Sequence, residues 1–370
     1  MICHCQTSVG WDKFAIYKYD GAIRARYGEG GWVKVENNVD KLEKNQGYII
    51  QSAVSGDIEF KVPNLAITCN NYERLLQTYN SALDYNANWS LIGNPFPSYF
   101  DLDELFTAGF SAPIYVRSKD KDDYDVYMPN DDEYHFHPYE AFFVQNPGDM
   151  IYNLFWGADG RETYKQSQEN DKRVAARRMA QQKGRQFVEL RLSAAEQGWN
   201  DHTRVVFNDN AKSNYELGRD AVKMSGKAAV RLYSLDDETQ YAINERPYDN
   251  GYVQLGFSVA QEGEYTLSAT RLDTAVIIYD NVEKQEVDLS YADYHFHSKA
   301  GVDNERFSIF RVKEAVTSLD ELREIFDGNV NVYTVSGIVV RENVSFDNLN
   351  LPTGAYIIQS DHMTRTIILK

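Results

Sequence analysis

Residues 251–281 read GYVQLGFSVAQEGEYTLSATRLDTAVIIYDN. Gly251 and Gly256 bracket Tyr252-Val253-Gln254-Leu255, Gly263 precedes Tyr265-Thr266-Leu267-Ser268-Ala269, and Ala275-Val276-Ile277-Ile278-Tyr279 closes on Asp280-Asn281. Short β-branched and aromatic runs suit a pleated, half-buried surface, and the turn residues between them stop each run before it reaches helical length. The same pattern extends outward. Upstream, Tyr48-Ile49-Ile50-Gln51 runs toward Ser55-Gly56-Asp57, and Ile58-Glu59-Phe60-Lys61-Val62 alternates before Pro63. Tyr17-Lys18-Tyr19 meets Asp20-Gly21, which reads as a hairpin turn. Downstream, Ser336-Gly337 separates Val332-Tyr333-Thr334-Val335 from Ile338-Val339-Val340-Arg341, and Ala355-Tyr356-Ile357-Ile358 and Thr366-Ile367-Ile368-Leu369 follow. With 26 Tyr and 18 Phe to supply such runs, the expected class is all-β. Two or more sandwich-like modules are expected, with a short helix before a small C-terminal β-sandwich.

Two interruptions suggest boundaries. From Arg161 to Arg185, eight Lys and Arg oppose three acids, inverting the sign of the chain as a whole. This stretch reads as a solvated linker or as a strip for an acidic neighbour. Further on, Ser318 and Glu321 form a capping-box pair, Leu322, Ile325 and Phe326 share a face, and Asp327-Gly328-Asn329 supplies a stop. The expected organisation is therefore an N-terminal β-rich domain over 1–157, a basic linker over 158–186 and a β-sandwich over 187–312. A helical connector over 313–329 and a C-terminal β module over 330–370 complete it. Gly47-Tyr48-Ile49-Ile50-Gln51-Ser52 is echoed by Gly354-Ala355-Tyr356-Ile357-Ile358-Gln359-Ser360, and more loosely by residues 139–145, without a fixed period.

The chain has 370 residues, 43% hydrophobic and 25% charged, which excludes wholesale disorder. No apolar run approaches the roughly 18–20 residues that span a bilayer, so no transmembrane segment is expected. The balance of 38 Lys and Arg against 55 Asp and Glu gives a formal charge of −17, which repels polyanions and disfavours a nucleic-acid partner. Cys3, Cys5 and Cys69 cannot make a disulfide framework, and Cys3-His4-Cys5 lacks the spaced ligand pairs of a structural zinc site. Met1-Ile2-Cys3-His4 shows no signal peptide, an expectation that leaves either an internal protein or a piece of a longer exported one.

Tyr-His-Phe-His occurs twice. Alternate side chains of a strand share a face, so His135 with His137, or His295 with His297, form metal-ligand candidates; alternation with Tyr and Phe inward and His outward is the simpler reading. Asp120, Asp122, Asp123, Asp125, Asp131, Asp132 and Glu133 crowd carboxylates as a calcium loop does. Counted from Asp120, however, the sixth position is Asp125 rather than Gly, and a solvated acidic hairpin tip fits better. No nucleophile elbow, phosphate loop or His-Glu-x-x-His is present, and neither a catalytic residue nor a cofactor is expected. Trp11, Trp32, Trp89, Trp156 and Trp199 are either core anchors or a platform for stacking on sugars.

Several segments in order resemble one family. Trp89-Ser90-Leu91-Ile92-Gly93-Asn94-Pro95-Phe96-Pro97 resembles a signature of surface and secreted proteins from gut and oral Gram-negative anaerobes, and Tyr19-Asp20-Gly21, Trp32 and Gly47-Tyr48-Ile49 are similar to the segment before it. Residues 203–208, 215–220 and 241–244 resemble the sandwich that follows. The end of the chain, with Tyr333, Ser336, Gly337, Gly354, Tyr356 and a last residue Lys370, resembles the C-terminal sorting domain read by the type IX secretion system. The resemblance implies a non-catalytic region for presentation or adhesion, extracellular or at the cell surface. It also implies a sorting module met by secretion machinery, and a glycan or a host or bacterial surface protein as partner. The alternatives are a carbohydrate-binding module of a larger enzyme or adhesin, and a hydrolase whose site is assembled from distant residues.

Overall fold

The computed structural model describes residues 6–36, 42–61, 70–129, 131–164, 184–224, 227–247, 252–290, 292–311, 314–316, 319, 326, 328–335, 337–360 and 364–369. Most of the apolar runs become strand, although Ile58-Glu59-Phe60-Lys61 is strand only at Phe60–Lys61, and the protein is all-β. The described residues form two compact units, Met1–Lys183 with Tyr215–Ala221, and Gly184–Asn214 with Val222–Lys370.

In the first unit, Trp89–Gly93 pairs with Ala141–Gln145, which pairs with Ile114–Arg117, which pairs with Tyr124–Tyr127, all antiparallel. Both faces of Ala141–Gln145 are covered. Phe142 and Val144 enter a core with Ile92, Phe96, Phe100 and Trp156, while the Phe143 ring meets Tyr19 at 4.7 Å and Trp89 at 6.2 Å. Smaller sheets close around this one. His135–Phe136, Tyr99–Asp101 and Arg161–Glu162 form one, and Trp32–Lys34, Phe14–Tyr19 and Tyr48–Ser52 form another.

Asp20-Gly21 does not turn a hairpin. It starts the helix Gly21–Tyr27, with the Asp20 carboxylate accepting the Ala22 N–H at 2.9 Å. A short acid before an Ala-containing run caps a helix as readily as it turns a strand, and the local letters do not separate the two. Gly21 is needed for a second reason: a Cβ there would overlap the Trp89 carbonyl oxygen. A further helix, Leu102–Thr107, was not foreseen. Of the expected basic linker, residues 165–183 lie outside the described residues; Arg161–Glu162 is a strand of the first unit and Gln186 already begins the next sheet.

The second unit is built on one long sheet. Its order is Gln285–Val287, Val276–Asp280, Gly301–Arg311, Tyr252–Val259, Val230–Asp236, Thr239–Arg246, Asn200–Phe207, Gln186–Ala194, Gly263–Leu272 and Tyr294–Ser298. One pairing, Asn200–Phe207 with Thr239–Arg246, is parallel. The ring of Phe296, in the last strand of that order, lies 4.9 Å from Phe307 and 5.7 Å from Phe257, which belong to the third and fourth. The sheet therefore folds over onto itself and encloses a core that includes Leu190, Leu192, Val253 and Ile278. Each buried aromatic contributes roughly 2–3 kcal/mol of burial, so rings drawn from both halves hold the layers together.

The chain ends in a five-stranded sheet ordered Glu314–Val316, Thr364–Leu369, Gly354–Gln359, Asn329–Thr334 and Val339–Ser345. Val330, Val332, Phe346, Tyr356, Ile358 and Ile367 form its core. The expected helix over 318–329 falls mainly on residues 320–325 and 327, outside the described residues, but Glu314–Val316, assigned to the same connector, is a strand parallel to Thr364–Leu369. Gly328 has φ +82, the left-handed conformation its place after Asp327 suggested.

Candidate functional site

The histidine pairs lie one in each unit. In Tyr134-His135-Phe136-His137, Phe136 is buried and the imidazoles take separate partners. His135 Nδ1 is 2.6 Å from Glu162 Oε2, and His137 Nε2 is 2.9 Å from Lys119 Nζ. Burial pushes the Glu162 carboxyl up, and the His135 imidazole partly opposes it. In Tyr294-His295-Phe296-His297, Tyr294 and Phe296 pack toward the sandwich core while the imidazoles are exposed. There, His295 Nδ1 meets Thr266 Oγ1 at 2.9 Å and His297 lies 3.7 Å from Glu262. Among the described residues no three His, Cys, Asp or Glu side chains are grouped to hold a metal ion.

Asp120 and Asp122 lie in the connection between Ile114–Arg117 and Tyr124–Tyr127. Their neighbourhood is answered locally: Asp122 pairs with Arg117, Lys121 lies 3.0 Å from Asp125, and the Met128 N–H donates to Asp132 at 2.7 Å. Of the tryptophans, Trp89 and Trp156 are buried, Trp11 and Trp199 pack partly buried against cores, and Trp32 is 38% exposed.

The residues singled out at the C-terminus come closer together. Thr334 and Gly337 make the turn between the first two strands of the last module, the Gly337 N–H donating to Thr334 O at 2.9 Å with φ +80 at the glycine. Gly354 opens the strand that carries Tyr356, whose hydroxyl donates to Pro352 O at 3.1 Å. Tyr333 lies in the neighbouring strand and Ser336 and Lys370 are outside the described residues. An open cleft of about 340 Å³ runs between this module and the hairpin Val276–Asp280 and Gln285–Val287, lined by Tyr279, Lys284 and Glu286 on one side and Thr334, Ile338 and Tyr356 on the other. Beside it Ile277 packs on Val335 and Ala355. Burial pushes the Glu286 carboxyl up even though part of it meets solvent, and the amides of Val335 and Ala355, donating to it, pull the other way. Burial, reinforced by Glu286, likewise pushes the Tyr356 phenol up. Among the described residues that line it, the cleft offers hydrogen-bond donors and acceptors, one amine and one carboxylate, and no histidine or cysteine.

Sequence reading missed the buried charges of the second unit. Arg306 donates from Nε and Nη2 to Asp280 Oδ2 at 3.0 and 2.8 Å, the Tyr294 hydroxyl joins the same oxygen at 2.8 Å, and the guanidinium lies over the Phe296 ring at 4.5 Å. Glu245, also buried, accepts from Arg185 at 2.7 Å and from Asn208 at 2.6 Å. Lys223 and Asp201 form a third pair. An acid and a base far apart in sequence carry no local signature of pairing, and Asp280 was read only as a turn residue.

Residues 140–310 match a family described as "Domain of unknown function (DUF8693)". The match starts at the strand Ala141–Gln145 of the first unit, runs through the folded sheet of the second and stops before the C-terminal module. No curated protein and no solved structure gives a significant match.

Proposed function

We propose that the chain is a non-catalytic region of an exported or cell-surface protein, its β modules serving presentation or adhesion and its last module, over 330–370, serving as a folded address for secretion machinery. The observation that supports this reading is the construction of that module. About forty residues supply most of a sheet and its core, joined by Glu314–Val316 and Phe326 from outside them, yet Ile338 and Val339 at its first turn remain 58% and 54% exposed. A receptor that reads a folded signal needs such a feature, apolar and outside the core. The test is surface display in the native host. Deleting 330–370 is expected to abolish it, and Ile338→Asp with Val339→Asp is expected to reduce it while circular dichroism and the melting temperature stay unchanged. Full display of the folded double variant would defeat the export reading.

A second reading, carbohydrate binding, is favoured by Trp32. Its ring is partly exposed and held edge-on by Tyr19 at 5.3 Å and Phe143 at 5.7 Å, a rigid face for stacking on a sugar. A glycan array is expected to show saturable binding that Trp32→Ala removes, and an array without binding discards this reading.

A further inference from the structure

Asp201 is the second residue of the strand Asn200–Phe207, and Lys223 stands just beyond Val222 with its main-chain N–H bound to Gln240 O at 2.7 Å. Lys223 Nζ lies 2.5 Å from Asp201 Oδ2, and the two side chains are 3% and 0% exposed. The Leu232 N–H donates to the same Oδ2 at 2.9 Å, and Nζ also reaches the His202 carbonyl at 3.4 Å. An amine and a carboxyl group are thus pressed together, out of water, with a backbone donor on the carboxyl oxygen.

Holding both groups charged in such a place is costly, and burial favours the neutral form of each: it lowers the proton affinity of an amine and raises that of a carboxylate. One proton passing from Nζ to the carboxylate, coming to rest on Oδ1, leaves a neutral amine against a carboxylic acid whose Oδ2 is the carbonyl oxygen. We propose that Lys223 and Asp201 close an intramolecular isopeptide bond. The Nζ lone pair adds to Asp201 Cγ, and the negative charge that develops on Oδ2 meets the Leu232 amide, a donor already aimed at that oxygen. A second proton moves from Nζ to the other carboxyl oxygen, the C–O bond to that oxygen breaks, and it departs as water. Ammonium and carboxylate become one secondary amide and one water, with no oxidant, reductant or further reactant. The product carries no charge, so bond formation removes the buried ion pair.

The other buried pairs of this unit lack the chemistry. Arg306 with Asp280 and Arg185 with Glu245 are held as closely, but a guanidinium stays protonated and is no nucleophile. Lys121 with Asp125, in the first unit, is 3.0 Å apart with side chains 14% and 35% exposed, and so is less withdrawn from water than Lys223 with Asp201.

The inference goes beyond the export reading and does not depend on it. Its test is the intact mass of the purified full chain, fresh and after prolonged incubation at physiological temperature. The expected mass falls short of the sequence mass by one water, and proteolysis is expected to yield a branched peptide joining the Asp201 and Lys223 fragments. Lys223→Arg, which keeps the charge pair, is expected to restore the full mass. A full-length mass in the native sequence after incubation overturns the proposal. So does a water deficit that persists in Lys223→Arg or maps to a different pair.

Discussion

Asn94 shows what constrains the run Trp89-Ser90-Leu91-Ile92-Gly93-Asn94-Pro95-Phe96-Pro97. Its side chain is buried; Nδ2 donates to Ser98 O and to His137 O, each at 2.9 Å, and Oδ1 accepts the Phe96 N–H at 3.0 Å. One side chain thereby satisfies the turn that drops Phe96 into the core. Asn94→Ala removes three hydrogen bonds, of whose partners His137 O keeps the Glu140 N–H, and is expected to cost about 2–4 kcal/mol, read as a lower urea midpoint with unchanged slope. Asp280 works differently. Burial would raise its carboxyl, but hydrogen bonds from Arg306, the Glu283 amide, Tyr294 and the Val282 amide outweigh burial and hold it below the usual carboxylate range. An acid depressed in the folded state adds stability that is full above its unfolded value, about pH 4, and is lost as pH falls through the folded one. Arg306→Leu is expected to cost about 3–5 kcal/mol near neutrality by stranding that carboxylate. Because protonation removes the stranded charge, the gap between variant and native protein should narrow in urea titrations below about pH 4.

The hairpin Val276–Asp280 and Gln285–Val287 joins the folded sheet to the last module through one apolar patch and one carboxylate. Glu286 has the opposite sign to Asp280. Its carboxyl is raised by burial, so stability is greatest below its unfolded value, about pH 4.3, and declines as pH rises through the folded value. Glu286→Gln removes that decline. The variant is expected to gain on the native protein as pH rises from about 4.3, and a difference independent of pH would show that Glu286 titrates alike folded and unfolded. Individual strands of this kind were legible because each is a local run: the structure has Gly354–Gln359 and Thr364–Leu369 where alternation put them. What joins them was not. Glu286 lies in a polar stretch that carries no local signal, and only the approach of the Val335 and Ala355 amides gives it a task. The helix at Gly21 was equally hidden, since its requirement for glycine comes from Trp89, far along the chain.

At the scale of the molecule, the class was visible and the path was not. Tyr294–Ser298 and Gly301–Arg311 are separated by two residues, the spacing of a hairpin loop, yet they pair with different partners, Gly263–Leu272 in one case and Tyr252–Val259 with Val276–Asp280 in the other. Register follows the faces that must be buried, and Phe296 and Phe307 are buried best when the chain crosses from one layer to the other. Net charge is a further property of the whole. A formal −17 is drawn together on folding, which opposes the compact state. Raising ionic strength from about 0.01 M to 0.15 M shortens the screening length from about 30 Å to about 8 Å, which weakens repulsion spread over the surface more than contacts between touching ions. Pairs such as Arg204 with Glu189, 2.9 Å apart and largely shielded, should survive that change. The urea midpoint is therefore expected to rise with sodium chloride over this range. A midpoint that falls would mean that attraction between separated opposite charges, not repulsion among the excess acids, dominates the long-range electrostatics of the folded chain.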